Sequence, residues 1–197
     1  KAGGHEVVPF IEKREKKSCS FERIYFSRGS DKDIYVERKK LGKNLVERIL
    51  QAVDYKFEDT VFTYVPNTAE AAFYGLMEGL HDAYSKVKAE QIIAAGGKMS
   101  AEESSTLLAK QPRIEKLANK DEKLRTFIAN IDTRHEMVSH VYDVTYGIIR
   151  NDLDTLVLLD DSIVRGTTLR DSIIRMVALR LKPKRIIVVS SAPQIRY

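Results

Sequence analysis

Apolar and polar residues follow two periods along this chain, and the switches between them predict an α/β fold. Leu156-Val157-Leu158-Leu159 is an unbroken apolar run, as expected of a parallel strand buried on both faces. Beyond a polar stretch, Ile173, Ile174, Val177 and Leu181 recur at helical spacing. Lys182-Pro183 ends that helix, because proline cannot continue it. Residues 186–189 supply the next strand and complete a strand-helix-strand crossover. A second such unit lies upstream. Residues 60–65 read as a strand, 66–70 as a loop, and 71–80 as a helix. Phe73, Leu76, Met77 and Leu80 line one side of that helix, with Thr68 as its N-cap.

Residues 21–28 alternate in part and predict a strand, and Gly29-Ser30-Asp31 a turn. From about Ile34 a helix follows, since Leu41, Leu45, Ile49 and Val53 recur every four residues. Gly42 weakens that helix, so its presence predicts close packing there. Residues 1–20 read as a lead-in. Val7 to Ile11 is a short extended segment, and residues 12–17 are a charge run serving as a solvated connection. Residues 81–124 read as a helical insertion. One helix over 84–95 stops at Gly96-Gly97. The capping-box pattern Ser100-Ala101-Glu102-Glu103 opens another, which stops at Gln111-Pro112.

The 197 residues suffice for one domain with a substantial core. The net charge of +5 and pI near 9.2 suit a polyanionic small molecule or nucleic acid. No aromatic-basic interleaving stands out, so nucleic acid is not expected as a partner. No apolar run approaches a membrane span and no signal-peptide pattern opens the chain, so a cytoplasmic protein without membrane attachment is expected. The single cysteine, Cys19, excludes an internal disulfide and an all-cysteine metal site. His135 and His140 stand five residues apart without a third ligand, so metal binding there is not expected. Met137, Val138, Val141 and Val144 are read as core.

Chemistry concentrates after the apolar run. Asp160 and Asp161 sit where the strand ends, and Gly166-Thr167-Thr168 where the helix begins. A helix N-terminus offers unpaired N–H groups and partial positive charge, which suit a phosphate. The carboxylates suit sugar hydroxyls or a hard cation such as Mg²⁺. A ligand with a phosphate at one end and ribose hydroxyls at the other fits both halves. The loop is not a Walker A loop, which needs G-x-x-x-x-G-K-[ST]. A plain strand-to-helix connection, with Thr168 as an N-cap, is the alternative. Residues 66–70 form a second strand-loop-helix cup. In an open α/β sheet two such cups on neighbouring strands can hold two charged ends of one ligand.

Val157-Leu158-Leu159-Asp160-Asp161-Ser162-Ile163-Val164-Arg165-Gly166-Thr167-Thr168 resembles the phosphoribosyl pyrophosphate (PRPP) loop of the type I phosphoribosyltransferases, and closely that of the amidophosphoribosyltransferase (glutamine-PRPP amidotransferase) family. Phe21-Glu22-Arg23-Ile24-Tyr25-Phe26-Ser27-Arg28, the helix containing Leu41-Gly42, and Arg125-Thr126-Phe127-Ile128 resemble the same family, as does the end at residues 190–197. The resemblance spans roughly 21–80 and 124–197. It implies a mostly parallel sheet flanked by helices, with 81–124 inserted and the chain truncated at both ends.

By the same resemblance, Asp160 and Asp161 contact ribose and organise Mg²⁺. With Ser162, Arg165, Gly166, Thr167 and Thr168 they form the PRPP site. Pro66, Asn67, Thr68, Ala69 and Glu70 hold pyrophosphate, and Arg125 and Arg134, with Lys123 as a further candidate, close over it as catalytic cations. The implied reaction joins ammonia to C1 of PRPP, releasing pyrophosphate and 5-phosphoribosylamine, the first step of purine nucleotide synthesis. A glutaminase domain is expected N-terminal to this chain. Its N-terminal cysteine has no counterpart here, Cys19 being internal, so the chain alone is expected to release no ammonia from glutamine. The family assembles as oligomers, so a homo-oligomer is an expectation. The alternative is a PRPP- or nucleotide-binding regulatory module, or another phosphoribosyltransferase, without this activity.

Overall fold

Alternating side chains on two adjacent strands build the centre of the molecule. The computed structural model describes residues 4, 6, 8–15, 19–20, 22–120, 142–163 and 169–193. Strands β1 (Thr60–Tyr64) and β5 (Thr155–Asp160) run parallel, with Val61 opposite Leu156 and Tyr64 opposite Leu159. Phe62, Tyr64, Val157 and Leu159 enter one core, together with Leu50, Leu76 and Leu80. Val61, Leu156 and Leu158 enter a second, with Leu117, Ile173 and Val177. Successive strand residues face opposite ways, so a sheet with two apolar cores needs an unbroken apolar strand. Thr60 and Thr63 are the buried threonines of β1: Thr60 donates to the Lys56 carbonyl at 2.6 Å, and Thr63 accepts from the Leu117 N–H at 3.1 Å.

Strand β2 (Arg113–Ile114) pairs with β1, and β6 (Arg185–Ser190) with β5. The sheet order is β2-β1-β5-β6, all parallel. A separate antiparallel pair joins β3 (Ala118–Lys120) to β4 (Tyr142–Val144). The fold is thus α/β with a mostly parallel sheet, as the sequence predicts. The helical part of the 81–124 stretch ends at Ala109, and the residues after it supply β2 and β3.

Helices α1 (Lys32–Lys43) and α2 (Val46–Ala52) replace the single helix expected from Leu41, Leu45, Ile49 and Val53. The break falls at Asn44-Leu45, just beyond Gly42, where weak helix formers cluster. Gly42 is where α1 crosses α3 (Glu70–Ala94). A Cβ there would stand 1.7 Å from the Ala72 carbonyl oxygen, and one at Gly75 would stand 1.9 Å from that of Lys39. Only two glycines let these backbones approach so closely.

Helix α3 (Glu70–Ala94) runs unbroken through 25 residues, where two helices are expected over 71–80 and 84–95. Residues 81–83 contain no helix breaker, and the buried stripe Phe73, Leu76, Leu80, Tyr84 continues across them. Its end falls where the sequence places it, with Gly96 and Gly97 at positive φ. Helix α4 (Ala101–Ala109) has the expected capping box between Ser100 and Glu103. Lys88, buried on α3, donates to the Leu108 and Lys110 carbonyls at 3.0 and 2.9 Å and ties the end of α4 to α3. A π-wound segment (Leu169–Ile174) leads into α5 (Arg175–Arg180), with Ile173, Val177 and Leu181 buried as predicted.

Residues 22–26 correct the sequence reading. They form a helical segment (Glu22–Phe26) in place of a strand. The Arg38 guanidinium collects the carbonyls of Arg23, Ile24 and Ser27, which satisfies them without a neighbouring strand. Val144 is buried as expected, while Met137, Val138, Val141, His135 and His140 lie outside the described residues. Among the described residues, no helix is long and apolar enough to cross a membrane.

Candidate functional site

The two loops singled out by the sequence leave the carboxyl ends of paired strands, so the sheet itself sets them side by side. The ladder continues one step past β1, where the Val65 N–H donates to the Leu159 carbonyl at 2.8 Å. From there β1 leads into residues 66–69 and β5 into Asp160-Asp161-Ser162. Pro66 and Ala69 are buried, while Asn67, Thr68 and Glu70 are exposed. The Pro66–Asn67 peptide is cis.

Helix α3 starts one residue later than the expected Thr68 cap. Its N-cap is Ala69, which lies in the helical region and has no side-chain oxygen to offer. A side-chain cap would occupy an N–H of the first turn. Here no side chain caps the turn, and the Glu70 N–H donates instead to the Asn67 carbonyl at 3.2 Å. Glu70 does not cap it either, for its carboxylate accepts from the Tyr64 and Tyr74 hydroxyls at 3.3 and 3.4 Å. Burial and then the Glu70 charge push the Tyr64 phenol up to about 12, so it stays a donor at neutral pH.

The carboxylate loop is held from behind by the continuation of β6. The Ser191 N–H donates to the Asp160 carbonyl and the Ala192 N–H to the Asp161 carbonyl, both at 2.9 Å. Within the loop, the Asp161 N–H donates to Asp160 Oδ1 at 2.8 Å, and the Ser162 N–H to Asp161 Oδ1 at 2.6 Å. Burial, and then the neighbouring Asp161 charge, push the Asp160 carboxyl up to about 7. Two adjacent half-buried carboxylates are hard oxygen donors whose repulsion a divalent cation would relieve. The donor set therefore fits Mg²⁺. Among the described residues, no group of three or more His, Cys, Asp and Glu side chains is arranged to hold a metal ion, so an ion here would share its shell with a ligand.

The structure thus brings Asp160, Asp161 and Ser162 next to the loop carrying Pro66, Asn67, Thr68, Ala69 and Glu70. Arg165, Gly166, Thr167 and Thr168 lie outside the described residues, as do Arg125, Arg134 and Lys123. One residue at the site escapes sequence reasoning. Tyr25, from the helical segment near the start of the chain, shares a hydrogen bond through its hydroxyl with Ser162 Oγ. Cys19 is exposed and unpaired with any other cysteine.

No family model matches the chain, and no curated protein matches it. Among solved structures, that of the allosteric regulatory enzyme of purine biosynthesis is similar, at 26% identity and a TM-score of 0.56. The likeness covers 91% of this chain and 31% of that enzyme's chain. The chain therefore spans about a third of the length of the enzyme it is similar to. The sheet, the strand-end loops and this likeness agree on an α/β fold of the type I phosphoribosyltransferase kind.

Proposed function

We propose that this domain is the synthase half of an amidophosphoribosyltransferase, which transfers ammonia to C1 of PRPP and releases pyrophosphate. The observation that carries the reading is the adjacency of two unlike cups. A carboxylate pair at the end of β5 stands beside an α3 N-terminus without a side-chain cap at the end of β1. Ribose hydroxyls suit the first and a pyrophosphate the second, and PRPP carries the pyrophosphate on C1 of the ribose whose C2 and C3 bear those hydroxyls.

Breaking the bond at C1 leaves positive charge on the ribose and negative charge on pyrophosphate. Catalysis can then be positioning and charge stabilisation, with no protein nucleophile. Asp160 and Asp161 would accept from the ribose hydroxyls and face the positive charge that grows at C1. The N–H groups that open α3 would receive the departing pyrophosphate. Asp160 and Asp161 would also hold Mg²⁺, which when bound neutralises phosphate charge. The tie between Glu70 and the two tyrosines occupies an acid that would otherwise repel the pyrophosphate. By resemblance, the 5′-phosphate goes to residues 165–168, and Arg125 and Arg134 act on the leaving group. Ammonia would come from a glutaminase domain preceding this one in the full protein.

Calorimetric titration of PRPP with Mg²⁺ tests the reading. Saturable binding to the wild-type chain, lost in the Asp160→Asn/Asp161→Asn double variant, is the expected result. Folded wild type that takes up no PRPP would overturn it. Ammonia-dependent consumption of PRPP then separates an enzyme from a regulatory module that only binds.

A further inference from the structure

The helical segment near the start of the chain is built to hold one hydroxyl against the carboxylate loop. Ile24 is buried and fixes the segment to the core. Arg38 on α1 grips its backbone, donating to the Arg23 and Ser27 carbonyls at 3.1 and 3.0 Å and to that of Ile24. Arg23 is paired with Glu37 on the same helix at 2.6 Å. On a backbone held this way, Tyr25 reaches Ser162, which lies 137 residues further along the chain. Ser162 in turn donates its N–H to the Asp161 carboxylate. Tyr25 also shares a hydrogen bond with the Asp161 carboxylate, so the segment reaches Asp161 both directly and by way of Ser162.

We infer that Tyr25 is a positioning residue, holding Ser162 and Asp161 in the geometry that receives ribose, so that residues 22–26 tune the affinity of a loop far along the chain. The inference rests on the PRPP-binding reading above. Arg38 supports the same contact one step back, because it touches the segment and not the loop.

The test uses the 197-residue chain, PRPP with Mg²⁺, and four variants: Tyr25→Phe, Ser162→Ala, the pair together, and Arg38→Met. Loss of one hydrogen bond should weaken PRPP binding by about threefold to tenfold in each of the first two. The double variant should be no weaker than the worse single one, because both remove the same contact. Arg38→Met should weaken binding in the same direction. The thermal midpoint of Tyr25→Phe should match wild type. With 3-fluorotyrosine incorporated, the resonance missing in Tyr25→Phe should move on adding Mg²⁺ and PRPP, and also in Ser162→Ala. Wild-type affinity in Tyr25→Phe, or losses that multiply in the double variant, would overturn the positioning role and leave the PRPP reading standing. Folded wild type without PRPP binding would overturn that reading and this role with it.

Discussion

Arg113 donates to Asp154 at 2.7 Å, joining the start of β2 to the residue just before β5. Asp154 is fully buried, and Arg150 reaches the same carboxylate through its side chain and through its backbone N–H at 2.8 Å. This knot closes the amino end of the sheet, away from the strand ends that carry the candidate site. Burial by itself would raise the Asp154 carboxyl. The two guanidinium groups and the backbone N–H outweigh burial and hold it down to about 2.

A pH dependence of stability follows. The carboxyl titrates lower in the folded chain than in the unfolded one, near 4 when unperturbed. Its contribution, about 2 kcal/mol, is therefore complete above the unfolded value and lost as pH falls toward about 2. Denaturant titrations from pH 6 down to about pH 2 should show the decline, and Asp154→Asn should flatten it. At neutral pH that variant should cost about 3 kcal/mol, since it leaves two arginines without their shared partner.

The crossing of α1 and α3 should tolerate no side chain. Gly42→Ala and Gly75→Ala each drive a methyl group into backbone, which no rotamer can relieve. Each is expected to destabilise the chain by about 3 kcal/mol, and the pair by less than the sum, because the first already forces the helices apart. Thermal midpoints would check this. A shift within a degree of wild type would show that the helices do not cross so closely.

Lys88→Met should loosen α4 with less effect on the sheet. It keeps the aliphatic stem and removes the donor to two carbonyls, at a cost of about 2 kcal/mol. Hydrogen exchange should quicken over residues 101–109 and stay slow in β1 and β5.

Asp160→Asn should lose PRPP binding yet stabilise the fold. It removes a half-buried negative charge lying beside another. A gain of about 1 kcal/mol at neutral pH is expected, as at other sites where function keeps like charges together. Denaturant midpoint and calorimetric affinity would move in opposite directions.

What the sequence reveals and what it hides divide along physical lines. Leu156 to Leu159 announce their strand because burial on both faces demands an unbroken apolar run. The two loops are legible because the strands before them are. Gly42 correctly signals close packing, though only the structure shows Gly75 as its counterpart. Residues 22–26 mislead because their apolar spacing is ambiguous and the decisive partner, Arg38, lies outside any local window. The tie from Tyr25 to Ser162 crosses most of the chain, and no periodicity encodes it. The cap of α3 is misplaced by one residue, since Thr68 has the chemistry but Ala69 has the position.

The unbroken course of α3 fixes a distance. At about 1.5 Å per residue, its 25 residues form a rod about 37 Å long. Its buried residues run from Ala72 to Lys88, so the rod is seated in the core for most of its length and its last turns stand clear. A rod seated this way has no hinge between the candidate cup at one end and α4 at the other. Tilting its free end would swing the cup as a lever does. A fluorophore at its tip would report the orientation of the cup from well outside the chemistry.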